Sequence, residues 1–170
     1  MENMIESVVI PALHGLDLTP VREGEVVVLR FQGQPAAFDV RIAEIEQPAL
    51  LWLRFVPRIW VGPEATEVLE ALTTLNCREW LIKAGRDLVD GEVFFDAELP
   101  LYGPLNADTF AAYFMAVYER VLAFVPQLLR VQWGGQTARD LFAPPQSAPP
   151  APLSPLEQEV VGIVSQVEFD

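Results

Sequence analysis

Cysteine and histidine are nearly absent: Cys77 and His14 are the single examples in 170 residues. A lone cysteine closes no intramolecular disulfide, so nothing here calls for an oxidising compartment. Cys77 opens an apolar stretch and reads as a small buried hydrophobe. His14, with no second histidine and no HExxH spacing, offers no zinc-type ligand set. Basic residues are also scarce. Ten arginines and one lysine stand against 24 acidic residues, a net charge of −13. Nucleic acid requires a basic footprint and an anionic membrane surface attracts one, so both partners are argued against. Long apolar runs are missing too; residues 49–53 are far too short to cross a bilayer. The acidic start, Met1-Glu2-Asn3-Met4-Ile5-Glu6, lacks the basic region of a secretory signal. The expectation is a cytoplasmic protein with no cofactor and no metal.

What the chain does have is apolar content, 51% of its residues, enough to fill a core. Ile5, Val8, Val9 and Leu13 keep helical spacing until Pro11 interrupts it. Three strand-like runs follow. Residues 25–31 place Val27, Leu29 and Phe31 on one face, and residues 37–45 set Phe38, Val40 and Ile42 against Asp39, Arg41 and Ala43. Residues 50–56 put Leu51, Leu53 and Phe55 opposite Trp52 and Arg54. Short connections make these an antiparallel meander. A helix is predicted over 64–76, with Asn76 as its C-cap and Val68, Leu72 and Leu75 as its stripe. Strands over 78–84 (Trp80, Ile82 and Ala84 on one face) and 92–99 flank the turn signal Asp90-Gly91. Residues 108–125 give the clearest helix, with Phe110, Phe114, Val117, Val121 and Val125 on one face, and Pro126 is expected to kink or restart it. The order is (α)βββαββα. Strands grouped in meanders point to an α+β fold: an antiparallel sheet of about five strands with helices packed on it.

Residues 143–155 hold six of the fifteen prolines and read as an extended linker. Beyond it Ser154 and Pro155 suit a helix start, and Leu156, Val160, Ile163 and Val167 share one helical face. The organisation is therefore a domain over 1–140, a proline-rich linker over 141–155 and an amphipathic segment over 156–170. At about 3.1 Å per residue the linker reaches roughly 45 Å, so that segment is expected to dock on its own domain or on a neighbour.

Catalytic readings find no footing. Gly134-Gly135 lacks the rest of a phosphate loop and reads as a helix-ending turn. Glu92, Asp96 and Glu98 fall on the polar face of a strand, so the acidic cluster Asp87, Asp90, Glu92, Asp96 and Glu98 reads as a solvated face. Aromatic anchors are more informative. Trp52 and Arg54 lie opposite the Leu51, Leu53 and Phe55 face, Trp60 lies in a loop between Pro57 and Pro63, and Leu69 approaches a second face of the 64–76 helix. Trp52, Arg54, Trp60 and Leu69 are the candidate partner-binding residues.

Phe55-Val56-Pro57 leading into the first strong helix, Leu75-Asn76, the strand end Leu99-Pro100-Leu101, the helix from Phe110 to Leu129 and Trp133-Gly134-Gly135-Gln136-Thr137-Ala138-Arg139 carry a resemblance. In these residues the chain resembles the YbjN family and the wider type III secretion chaperone-like fold, over about residues 5–140. The resemblance implies a small domain that binds another polypeptide, often as a homodimer, and it brings no catalytic residue. Secretion chaperones commonly dimerise through the helix between their strand groups, yet here only Ala65, Leu69 and Thr73 approach a second apolar face on it. The reading is a non-enzymatic polypeptide-binding domain, chaperone-like or an adaptor, holding a client segment on an apolar groove, its acidic surroundings favouring basic or neutral clients. The alternative is a self-assembling scaffold or regulatory protein.

Overall fold

A computed structural model describes residues 3–142 apart from 33–36 and 63. Of the predicted linker over 141–155, Leu141 and Phe142 belong instead to a short helix, Ala138–Phe142; the rest of it, the tail residues Leu156, Val160, Ile163 and Val167, most of the Gln32–Pro35 connection and Pro63 lie outside the described residues.

The chain opens with a π-turn, Ile5–Val9, that runs into α1 (Ile10–Gly15). Pro11 explains the junction. It has no N–H to give Ser7 its helical bond, and the Ile10 N–H reaches back five residues to the Ile5 carbonyl. Six strands follow: β1 (Val21–Glu23), β2 (Val26–Phe31), β3 (Phe38–Ile45), β4 (Leu50–Val56), and, after α2 (Thr66–Arg78), β5 (Lys83–Arg86) and β6 (Val93–Pro100). They form one antiparallel sheet in the order β1-β2-β3-β4-β6-β5. Then come α3 (Ala107–Trp133) and the short α4 (Ala138–Phe142).

The α+β architecture is therefore as read from the sequence, with one strand more. Strand β1 is three exposed residues with no alternation to detect, joined to β2 through Gly24 at φ 66°. Other differences are corrections of detail. Helix α2 starts and ends two residues later than predicted, so Asn76 is not its cap. Instead the Asn76 amide faces β5, accepting from the Ala84 N–H at 2.7 Å and donating to the Ala84 carbonyl at 2.8 Å. Because α2 claims Arg78 and β5 begins only at Lys83, Trp80 falls in the connection and is 85% exposed, not core. Cys77 is exposed on α2, not buried. Helix α3, capped by the Asn106 side chain accepting from the Thr109 N–H, runs past Pro126 to Trp133 without restarting. It ends at Gly134 and Gly135, the latter at φ 68°, as the paired glycines predicted.

All the described helices lie on one side of the sheet. Their buried side chains merge with Val27, Leu29, Phe38, Val40, Ile42, Leu51, Leu53, Phe55, Val93, Phe95 and Ala97 into a single core. Phe114 sits at its centre, its ring 5.9 Å from Phe55 and 6.3 Å from Phe110.

Candidate functional site

Period-two alternation makes the second face of the sheet from the residues between those core positions. On β4 these are Leu50, Trp52, Arg54 and Val56. The register sets Arg54 between Arg41 on β3 and Asp96 on β6, and Trp52 between Ala43 and Glu98. Val28, Leu50 and Val56 are buried, yet they stand outside the core, and every buried helical side chain belongs to the other side. Among the described residues no helix covers this face.

Arg54 organises its centre. The guanidinium donates two parallel hydrogen bonds to Asp96, Nε to Oδ1 at 2.8 Å and Nη2 to Oδ2 at 2.7 Å. It also lies 4.0 Å from the centre of the Phe94 ring and 4.6 Å from that of Trp52, a cation held against two aromatic rings. Gly85 is part of the device. A Cβ there would come within 2.4 Å of Phe94 Cζ, so the absent side chain leaves room for the ring to lie across β5. The bonds to Asp96 outweigh burial and raise the Arg54 pKa above its ordinary value, so the cation persists at any working pH. A bidentate pair, itself half-buried, fixes the two rings as a rigid platform.

Further arginines surround this platform. Arg30 pairs with Glu23, and Arg58 donates to Asp39 at 3.2 Å. Arg41 is exposed, and among the described residues no carboxylate lies within ion-pairing distance of it. It stands directly opposite Arg54, whose own charge Asp96 neutralises, so Arg41 is the open cation of the face. Glu92, at the start of β6, has its carboxyl pushed above the ordinary value by burial and then by the charge of Asp90, with Arg41 opposing.

Three of the four predicted partner-binding residues share this side. Trp60 pairs across an antiparallel bridge with Glu92, which puts its side chain on the face that Phe94 occupies two residues further along β6. It is 55% exposed. Leu69 is apart from them, on the outer side of α2 among Thr66, Glu70, Thr73 and Thr74. The sequence reading missed Phe94 and Arg41, both on the side of their strands set aside as polar. The acidic cluster is not a uniformly solvated face, since Asp96 is the clamp on Arg54. Among the described residues no group of three His, Cys, Asp or Glu side chains is placed to hold a metal ion. No described helix is long and apolar enough to cross a membrane.

The family model named YbjN, described as "Putative bacterial sensory transduction regulator", matches residues 8–130. The crystal structure of YbjN from E. coli, described with it as "a putative transcription regulator", is similar with a TM-score of 0.60 at 18% identity. That likeness covers 73% of this chain and 90% of that one, and at such identity it establishes the fold. No curated protein matches the chain.

Proposed function

The chain belongs to the YbjN family, and on that premise we propose that it is a non-enzymatic, cytoplasmic adaptor that holds a segment of another polypeptide on the uncovered face of its sheet. One observation carries this reading: a sheet face that no described helix covers, bearing the Trp52–Arg54–Phe94 platform and the open cation Arg41. Rigid aromatics deliver contact area at low entropic cost, and a preorganised platform leaves less ordering for the client to supply. The client that fits carries apolar side chains for Trp52, Phe94 and Trp60 and a carboxylate for Arg41. The net charge of −13 favours basic or neutral clients overall, and the face itself mixes signs: Arg30, Arg54 and Arg58 are paired with Glu23, Asp96 and Asp39, and Glu98 stands opposite Trp52, so the preference for a carboxylate rests on Arg41 alone. A regulator acting by capture of a polypeptide is consistent with the family's description.

Homodimerisation through α2 has less support. Leu69 is the one large apolar side chain in the shallow depression on that helix, among two threonines on its own turn side, Thr66 and Thr73, with Thr74 and Glu70 beside them.

The test is fluorescence polarisation with short fluorescein-labelled peptides that combine apolar residues with one or two glutamates. The full chain is expected to bind a subset at micromolar Kd, and Trp52→Ala or Arg41→Glu to weaken them about tenfold or more. Peptide binding that ignores both substitutions would refute the assignment.

A further inference from the structure

The described chain leaves its fold at a fixed point. The Phe142 carbonyl accepts a hydrogen bond from Arg78 Nη1 at 2.9 Å, and the Arg78 guanidinium lies 5.0 Å from the centre of the Phe142 ring. Arg78 ends α2, which packs against β5, the edge strand of the sheet. From that edge to Trp52 on β4 is two strand spacings, about 10 Å, plus about 10 Å around the edge from the helical layer. Thirteen residues separate Phe142 from Leu156, and the fourteen steps, at about 3.1 Å each in polyproline form, span up to roughly 43 Å. The linker is therefore long enough to carry the tail around the β5 edge onto the open face.

The tail also has the chemistry of the client defined above. Residues 143–170 contain four acids, Glu157, Glu159, Glu168 and Asp170, and no basic residue. Wound as a helix at about 100° per residue, Leu156, Val160, Ile163 and Val167 form one stripe with Glu157 and Glu159 on its two flanks. The apolar stripe matches Trp52 and Phe94, and a carboxylate on one flank matches Arg41, the side away from Glu98. Two other depressions among the described residues fit less well. The one around Trp80, between residues 79–81 and α3, presents Glu79 and Glu119, and its Arg120 already pairs with Glu79 at 3.6 Å. The one on α2 offers Glu70 and threonines.

We infer that residues 156–167 occupy the open sheet face of their own chain as a tethered internal ligand, competing with the client. This rests on the proposed polypeptide-binding role of that face. Tethering gives an effective concentration near millimolar, so a segment with a free Kd of about 100 μM would lower apparent client affinity about tenfold.

Two measurements on the full chain test this. The first is binding of a fluorescein-labelled peptide of sequence 154–170 to the wild type and to the Val160→Asp, Ile163→Asp double variant. The double variant is expected to bind about tenfold more tightly, because its own tail no longer competes. The second is hydrogen exchange at residues 156–167, expected to be protected in the wild type and released by Trp52→Asp while the amides of α3 keep their protection. Equal probe affinity together with unprotected tail amides would overturn the inference while leaving client binding intact. Protection that grows with protein concentration would overturn the intrachain form in favour of a second copy's tail. Failure of both chains to bind this probe and every apolar-acidic peptide would overturn the reading of the face itself.

Discussion

Two side chains do work that their types alone do not announce. The Asn76 amide satisfies both the N–H and the carbonyl of Ala84, standing in for a strand partner at the sheet edge where Ala84 is buried. Asn76→Ala removes both partners at once, and we expect a loss of roughly 1–3 kcal/mol in chemical denaturation. A loss within a few tenths of a kcal/mol would mean that water replaces the amide without cost. Glu92 is the second case. Its carboxyl is raised above its ordinary value by burial and by Asp90, so the folded state holds that proton more tightly than the unfolded chain does. The resulting stability is present below the ordinary glutamate range and is lost as pH rises through the folded-state value. Glu92→Gln should therefore raise Tm at pH 7, with the gap closing below about pH 4. A gap of the same size at both pH values would contradict this cause.

At the level of elements, α3 contributes more buried side chains to the core than any other described helix. Phe114 is 1% exposed and within ring-stacking range of Phe55, Phe110 and Tyr118. Phe114→Ala is expected to cost about 3–5 kcal/mol, because removing the ring leaves a cavity between helix and sheet. Less than about 1 kcal/mol would place the α3 stripe on the wrong side. This stripe was legible because a long amphipathic period survives any local disturbance; the same holds for the alternation in β3 and for the paired glycines after Trp133. The α2–β5 connection was not legible. Residues 78–84 alternate like a strand, yet the bond that decides where β5 begins runs from the Asn76 side chain across eight positions to Ala84. That is a contact between elements, which no local period encodes. Strand β1 was missed for a simpler reason, since three exposed residues carry no pattern.

Among the described residues the molecule is a sheet with one side filled by helices and one side that no helix covers. Sequence placed Trp52 and Arg54 opposite the core face but left the cover of that face undetermined. Strand β4 is apolar on both sides, Leu50, Trp52 and Val56 against Leu51, Leu53 and Phe55, so a second helical layer would have fitted the same residues. Phe94 and Gly85 join the site only through the register of β5 on β6. The Arg41–Arg54 apposition likewise arises only when β3 meets β4. The central claim, that this open face is where a polypeptide binds, is tested most directly by an amide chemical-shift titration. The full chain carrying Val160→Asp and Ile163→Asp would be titrated with a bound apolar-acidic peptide. The account predicts perturbations centred on Val28, Arg41, Trp52, Arg54, Phe94 and Trp60, with the α1 and α3 amides unmoved. Perturbations centred on Leu69 of α2 or on the depression at Trp80, with the open face silent, would contradict it.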